Sequence, residues 1–163
     1  MPPFLTPTYY QSHFRPIQWA KYEAFWPFLH PQLTAHAPSS LLDLGIGPAW
    51  LESFFLEKGH SFSRIVGVDI SESAISPRQD GIDYILSSSF DTPERFDLVV
   101  CFDAWHCFPD LDIQKFISPR GLLLVSEPLT YEKQLENLSG NRLIDLVVGE
   151  MEKSRVVLMK NFP

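Results

Sequence analysis

Short apolar runs alternate along the chain with longer stretches in which apolar residues recur at helical spacing. The runs, bounded by turn residues, predict strands, and the amphipathic stretches predict helices over Tyr9–Leu29 and Ala49–Lys58. Strands are predicted at Leu41–Leu44, Arg64–Ile70, Asp83–Leu86, Phe96–Phe102 and Ser154–Lys160, and Ile117–Pro128 is predicted as a turn followed by a strand. Strands that alternate with helices indicate an α/β protein with a largely parallel sheet.

The C-terminal part carries a further helical pattern. Tyr131–Lys153 is predicted as a helix that breaks near Ser139–Asn141, with the buried stripe Leu143, Ile144, Val147, Val148 and Met151 in its second half. The pattern as a whole predicts a doubly wound, Rossmann-like three-layer sandwich with a mostly parallel sheet of about six to seven strands. The chain of 163 residues fits one domain, with an aromatic N-terminal helix in 1–39 and the core in 40–163.

A glycine turn follows the first predicted strand. Gly45 and Gly47 allow a tight turn without side chains in the way, and a helix follows at once. Strand, glycine turn and helix form the nucleotide-binding corner of a doubly wound sheet. Asp69 ends the next strand, roughly twenty residues further on, where this fold places an acid on the ribose hydroxyls. Its alternative role is to cap the segment Ser71–Ile75.

The residues around the turn narrow the choice of nucleoside. Trp50 occupies the position where a dinucleotide-binding turn has its third glycine, and Asp43 is a better neighbour for a cation than for a phosphate. Asp-x-Gly-x-Gly at 43–47 and Gly-Val-Asp-Ile-Ser at 67–71 resemble motifs I and II of the class I S-adenosylmethionine-dependent methyltransferases. The resemblance implies S-adenosyl-L-methionine as cofactor, with Asp43 near its methionyl end and Asp69 on its ribose. The contacts that it implies in these motifs are Asp43, Gly45, Gly47, Asp69 and Ile70.

Further contacts follow from the same resemblance. Matching the family's Gly-Asp-Ala segment along the run Ser87–Asp91 places Ser88 at the position of the adenine-binding acid, with Ser89 and Phe90 beside it and Asp91 near enough to replace it. Phe-Asp-Leu-Val-Val at 96–100 resembles motif IV, whose strand ends at Phe102 beside the methyl donor. The family also often closes the pocket with an N-terminal aromatic residue, for which Tyr9, Tyr10 and Trp19 are candidates; core packing is the alternative for each.

The loop after the fourth predicted strand carries the candidate catalytic residues. The resemblance, together with the rule that ligands bind beyond the carboxyl ends of parallel strands, places Asp103 and His106 near the transferring methyl group. His106 is the candidate general base, because its unperturbed pKa lies near neutrality. The alternative is a structural histidine bonded to a neighbouring loop. Cys101 lies mid-strand and is interpreted as a core residue.

Composition restricts the partners and the location. The net charge is −7 without any block of Lys or Arg, which disfavours a nucleic-acid substrate, and no apolar run is long enough for a membrane span. The 2 cysteines show neither metal-ligand nor disulfide spacing, so no metal and a cytoplasmic setting are expected. Asn/Asp-Pro-Pro-Tyr after strand four and Pro-Cys are both absent, which argues against methylation of amino groups of adenine or glutamine and of cytosine C5.

The favoured interpretation is therefore a methyltransferase that acts on a small-molecule acceptor. A protein that binds S-adenosylmethionine or S-adenosylhomocysteine without catalysis, and a nicotinamide-dependent enzyme on a related sheet, are the alternatives. The complete family core has seven strands, whereas six are predicted here. Because an open sheet edge is usually covered, a homodimer is a further hypothesis.

Overall fold

The computed structural model describes the backbone of residues 7–161 and the side chains from residue 11 to residue 161. In this part of the chain the α-helices are α1 (Pro7–His36) and α2 (Trp50–Glu57). The strands are β1 (Ser40–Leu44), β2 (Arg64–Asp69), β3 (Asp83–Leu86), β4 (Phe96–Phe102), β5 (Ile117–Pro128), β6 (Asn141–Val148) and β7 (Ser154–Lys160). Short 3-10 helices span Trp105–Cys107, Ile113–Phe116 and Leu129–Asn137.

The strands form one sheet in the order β3-β2-β1-β4-β5-β7-β6. All pairs from β3 to β5 are parallel, and β7 runs antiparallel between β5 and β6. The predicted doubly wound, mostly parallel sheet is confirmed. Three of the predicted strands, β3, β4 and β7, are confirmed residue for residue. The carboxyl ends of β1, β2 and β4 are therefore neighbours at one edge of the sheet.

The two faces of the sheet are covered by different kinds of helix. On one face, α1 and α2 pack through aromatic side chains such as Phe25, Phe54 and Phe55 against β1, β4, β5 and β7. On the other face, the 3-10 helices bury Phe116 and Leu135 against alternate residues of the same strands. The three-layer arrangement is thus present, with one layer made of 3-10 helices rather than α-helices.

The helix predicted over Tyr131–Lys153 is wrong in its second half. The chain forms a 3-10 helix that ends at Asn137 and then the strand β6, which pairs with β7. The apolar positions of β6 fit a helical stripe and a half-buried strand equally well over so short a run. Ion pairs from Asp145 to Arg142 and Arg155 support the strand pair, with Nε of Arg155 at 2.8 Å from Oδ1 of Asp145.

The strand count of six is also wrong, because β6 brings it to seven. The homodimer hypothesis was argued from a missing strand, and it loses that argument here. The N-terminal helix also runs past its predicted end at Leu29. It continues through Pro31 to His36, since Leu33 extends the buried stripe of Leu29 into the core.

Two acidic side chains lie in the core beneath the turn that follows β1. Asp43 and Glu52 are 3% and 6% exposed, and Oδ1 of Asp43 and both carboxylate oxygens of Glu52 have no donor among the described residues. Burial raises the pKa of Asp43 well above its usual value, and the charge of Glu52 raises it further. Burial also raises the pKa of Glu52. One proton shared between the two carboxyl groups gives the pair both a hydrogen bond and a single charge.

We expect Glu52→Gln to stabilise the protein, and more so at high pH. An acid whose pKa is raised on folding binds more protons in the native state than in the unfolded chain, so its contribution to stability falls as pH rises through the raised pKa. The amide donates to Asp43 without taking up a proton. The free energy of unfolding in urea should rise by about 1–3 kcal/mol near pH 8 and change less near pH 5.

Glu57→Gln is the matched control, since Glu57 is an exposed acid on the same helix. It should leave the pH dependence of the unfolding free energy unchanged. A Glu52→Gln protein that is less stable than the wild type at high pH would contradict the shared-proton interpretation.

Candidate functional site

A cavity of about 240 Å³ opens at the carboxyl edge of the sheet, above the ends of β1, β2 and β4. Its walls come from the turn after β1, the end of β2, the loop after β4 and the face of α1. The lining residues are Gln18, Tyr22, Gly45, Ile46, Gly47, Pro48, Trp50, Asp69, Ile70, Ala74, Phe102, Asp103, Ala104, Cys107 and Phe108. The structure therefore brings together six of the candidate site residues: Gly45, Gly47, Asp69, Ile70, Phe102 and Asp103.

The glycine turn is held from two sides. The amide of Gly45 donates to the carbonyl of Val68 at 2.7 Å, which ties the turn to β2. Gly45 has a φ of +81°, and a Cβ on it would collide with the Cβ of Ala104 in the loop after β4. Gly47 has a φ of +53°, and a Cβ there would meet nothing within 4 Å. The first glycine is thus required by packing, and the second leaves room beside the cavity.

Asp69 links the end of β2 to the glycine turn. Its Oδ2 accepts the amide of Gly47 at 2.9 Å, and its Oδ1 accepts the amide of Ser71 at 3.0 Å. The segment Ser71–Ile75 forms turns rather than a helix, so the bond to Ser71 is a local turn contact and not the helix cap considered for Asp69. Each carboxylate oxygen has a second lone pair, so these bonds leave acceptor capacity for hydroxyl groups of a ligand.

Several predicted cofactor residues lie away from this cavity. Ser88 and Ser89 are exposed on the segment after β3, and Phe90 is 6% exposed with its ring 5.2 Å from that of Phe116 in the core. Asp43 is buried beneath the glycine turn. None of these four predicted residues is among the described residues that line the cavity.

The aromatic side chain that α1 brings to the cavity is Tyr22. Its ring stands edge-on to that of Phe102, with 5.1 Å between the ring centroids. The side chains of the candidates Tyr9 and Tyr10 fall outside the described residues, and Trp19 packs edge-on against Phe54 at 5.3 Å.

Gln18 and Tyr22 line the cavity, although neither is among the site residues predicted from the sequence. The signal that could have found them is their spacing: residues four apart share one face of a helix. Because α1 covers the carboxyl edge of the sheet, that face is the one turned toward the cavity. The helix thus contributes a polar and an aromatic group to the wall.

Both carboxylate oxygens of Asp103 accept hydrogen bonds from neighbouring side chains. Its Oδ2 accepts from the ammonium of Lys21 at 2.9 Å and from Gln18 at 3.4 Å, and its Oδ1 accepts from the Ser126 hydroxyl at 2.8 Å. Lys21 is 1% exposed, so this is a buried ion pair. The backbone of Asp103 has a φ of +53°, a strained conformation for a residue with a side chain. These donors already occupy both carboxylate oxygens, which argues against Asp103 as a base.

His106 belongs to a separate cluster. Its Nδ1 lies 3.0 Å from Oε2 of Glu127, which is fully buried, and its ring stacks on that of Tyr131 at 4.3 Å. Burial raises the pKa of Glu127, whereas the nearby His106 lowers it, with a net increase. His106 is not among the described residues that line the cavity. His106 is thus bonded to the strand β5 rather than to a neighbouring loop.

The described side chains offer no metal centre, since nowhere among them do three or more His, Cys, Asp or Glu come together as ligands. In the same residues, none of the helices combines the length and the apolar character that a bilayer crossing requires. Cys101 is buried, and burial raises the pKa of its thiol well above the usual value, which agrees with an inert core residue.

Comparisons with known proteins agree with this geometry. A protein from Methanococcus maripaludis assigned to the S-adenosyl-L-methionine-dependent methyltransferases is 12% identical, with a TM-score of 0.60 over 98% of this chain and 94% of that one. Magnesium protoporphyrin IX methyltransferase from Synechocystis, with S-adenosylmethionine bound, is 13% identical, with a TM-score of 0.57 over 86% of this chain and 80% of that one.

An S-adenosylmethionine-dependent methyltransferase from Clostridium acetobutylicum is 20% identical, with a TM-score of 0.55 over 87% of this chain and 62% of that one. No curated protein matches the sequence. The family model described as a methyltransferase domain matches residues 12–147, which is most of the chain. The protein therefore belongs to this methyltransferase-domain family and has the class I methyltransferase fold.

Proposed function

We propose that the protein binds S-adenosylmethionine in the cavity at the carboxyl edge and transfers its methyl group to a small-molecule acceptor. The observation that carries the proposal is the corner formed by Gly47 and Asp69, in which a glycine turn and a buried acid border one cavity. Membership of the methyltransferase-domain family supports it. A nicotinamide cofactor is disfavoured because Trp50 fills the position of the third glycine and itself lines the cavity.

The residues present fit such a cofactor. Asp69 keeps acceptor capacity for the two ribose hydroxyls, and Gly45 and Gly47 place no side chain of their own in the way of the nucleoside. Ile70 and Phe102 offer apolar surface in the same wall. The proposal assigns no side-chain contact to Ser88, Ser89 or Phe90, and it gives Asp43 a supporting role beneath the turn.

A sulfonium cofactor supplies both the methyl group and the leaving group. The protein's own task is therefore to align the acceptor and to exclude water, and to take up a proton where the acceptor releases one. This chemistry needs neither a nucleophilic triad nor a metal. The net charge of −7 and the absence of nucleic-acid-methylating motifs support a small acceptor. The free cysteines Cys101 and Cys107 support a reducing, cytoplasmic setting.

We assign any proton transfer to His106 rather than to Asp103. The Nδ1 of His106 faces the buried Glu127, which orients the ring and leaves Nε2 as the nitrogen that can take a proton. Asp103 instead positions the groups around it, because Lys21, Gln18 and Ser126 occupy its oxygens. The carboxylate–histidine pair is the arrangement that a general base requires.

Calorimetric titration with S-adenosylmethionine and S-adenosylhomocysteine tests the cofactor site. We expect micromolar binding of both by the wild type. Asp69→Ala should weaken it by about 10- to 100-fold, the equivalent of one or two hydrogen bonds to a charged group. Asp83→Ala is the matched control, since Asp83 is an exposed acid at the start of the neighbouring strand β3. Absence of binding by the wild type would refute the proposed function.

The role of His106 can be separated from cofactor binding. His106→Gln should leave the affinity for S-adenosylmethionine within about twofold, because His106 lies outside the cavity wall. Methyl transfer to an acceptor found by screening should fall by about 100-fold, the usual contribution of a general base. An unchanged rate would leave His106 with its structural role alone.

Cofactor binding without turnover of any acceptor would instead favour the non-catalytic alternative. One argument for that alternative was the short C-terminal part, and it is weakened because the antiparallel pair of β6 and β7 is complete.

A further inference from the structure

A second cavity, of about 580 Å³, adjoins the first. It lies between α1, the segment after β5 and the turn that joins β6 to β7, and we call it the outer cavity. Gln18 and Asp103 border both cavities, so these two side chains form the partition between them. A molecule in the outer cavity would therefore lie next to a ligand in the first.

A buried ammonium group stands at this partition. Lys21 is 1% exposed, and its Nζ donates to Oδ2 of Asp103 at 2.9 Å and to the Ser154 hydroxyl at 3.0 Å. All three residues border the outer cavity. An ammonium has three N–H donors, and the contacts with the described residues use two of them. One donor remains for a ligand atom.

Gln18 provides a hydrogen-bond acceptor that complements the ammonium donor of Lys21. Its Nε2 faces Oδ2 of Asp103 at 3.4 Å, and the reversed amide would place its oxygen against a carboxylate. Its Oε1 is therefore the free end of the amide, and it is buried without a donor among the described residues. A buried acceptor without a partner costs free energy, so this oxygen is suited to a ligand that supplies an O–H or N–H.

The other residues that line the outer cavity restrict the polarity and the charge of its ligand. Leu129 and Met151 are 38% and 81% exposed, which provides apolar surface for a hydrocarbon body. The turn between β6 and β7 borders the same cavity with two exposed acids, Glu150 and Glu152, and one exposed lysine, Lys153. Because the acids outnumber the lysine, the rim disfavours an anionic ligand.

We propose that the outer cavity binds the methyl acceptor, and that this acceptor is a neutral alcohol or phenol with an apolar body. The transfer breaks the bond between sulfur and methyl carbon, forms the bond between the acceptor oxygen and that carbon, and leaves S-adenosylhomocysteine. The hydroxyl proton passes through solvent to His106, because His106 is not among the described residues that line either cavity. A hydroxyl group both accepts and donates, so it can satisfy Lys21 and Gln18 together. An ammonium would only donate and would lie against the charge of Lys21. A carboxylate would only accept, and it would meet Glu150 and Glu152. The proposal rests on the proposed function, since it places the acceptor beside the cofactor cavity.

The test compares benzyl alcohol, benzylamine and benzoate, which share an aromatic body and differ in the polar group. Binding is followed by NMR on ¹⁵N-labelled full-length protein saturated with S-adenosylhomocysteine. Benzyl alcohol should bind about tenfold more tightly than either charged probe, and it should shift the side-chain amide resonances of Gln18.

Gln18→Met keeps the length of the side chain and removes its hydrogen-bonding groups, and it should weaken the binding of benzyl alcohol by about 5- to 10-fold. Gln11→Met is the matched control, because Gln11 is an exposed glutamine on the same helix outside both cavities. Lys21→Met removes the ammonium but leaves Asp103 buried without its partner, so Gln18→Met carries the test.

Tighter binding of benzylamine or benzoate would overturn the proposal, as would equal affinities of the Gln18→Met variant and the wild type. Calorimetry with S-adenosylhomocysteine, run in parallel, keeps the two proposals apart. Cofactor binding without a preference for the alcohol refutes the acceptor class alone. Failure to bind the cofactor refutes the proposed function. The affinities of the three probes for the cofactor-free protein then test the preference for the alcohol.

Discussion

The hydrogen bond from the Gly47 amide to the Asp69 carboxylate, 2.9 Å long, fixes the carboxyl edge of the sheet. It joins the turn after β1 to the end of β2, while the missing side chain of Gly45 lets Ala104 approach from the loop after β4. Three neighbouring strands therefore meet through one tight turn, and the cavity is the space above it. The donor is a backbone amide and the acceptor is a side chain, so the arrangement depends both on the strand order and on the identity of Asp69.

The ion pair of Lys21 and Asp103 connects the first helix to this edge. Removing both charges from water is costly, and the hydroxyls of Ser126 and Ser154 and the amide of Gln18 offset part of that cost. These groups come from α1, β5, β7 and the loop after β4, so elements far apart in the sequence depend on a single carboxylate. The pair also separates the two cavities. The same side chains therefore connect α1 to the sheet and line a binding surface.

The sheet and the glycine corner could be predicted from the sequence because both depend on local patterns: apolar runs for the strands, and the spacing from Gly47 to Asp69 for the turn. The strand β6 could not, since its apolar residues fit two periods and its pairing with β7 is a tertiary effect. The partnership of Lys21 with Asp103 spans 82 positions and leaves no local signal. Phe90 and His106 illustrate the same difficulty: their residue types suited the cofactor cavity, whereas contacts with Phe116 and Glu127 hold them outside its wall.

The unequal covering of the two faces has a consequence for dynamics. A 3-10 helix has poorer hydrogen-bond geometry than an α-helix, and its short runs share little cooperativity. The face that carries Trp105–Cys107, Ile113–Phe116 and Leu129–Asn137 is therefore the side on which local opening costs least, while α1 and α2 hold the opposite face. Backbone amides of these segments would exchange with solvent before those of β1 and β4. Two of the three segments adjoin the cavities, so the site lies where a rigid sheet meets a layer that can yield to admit a ligand.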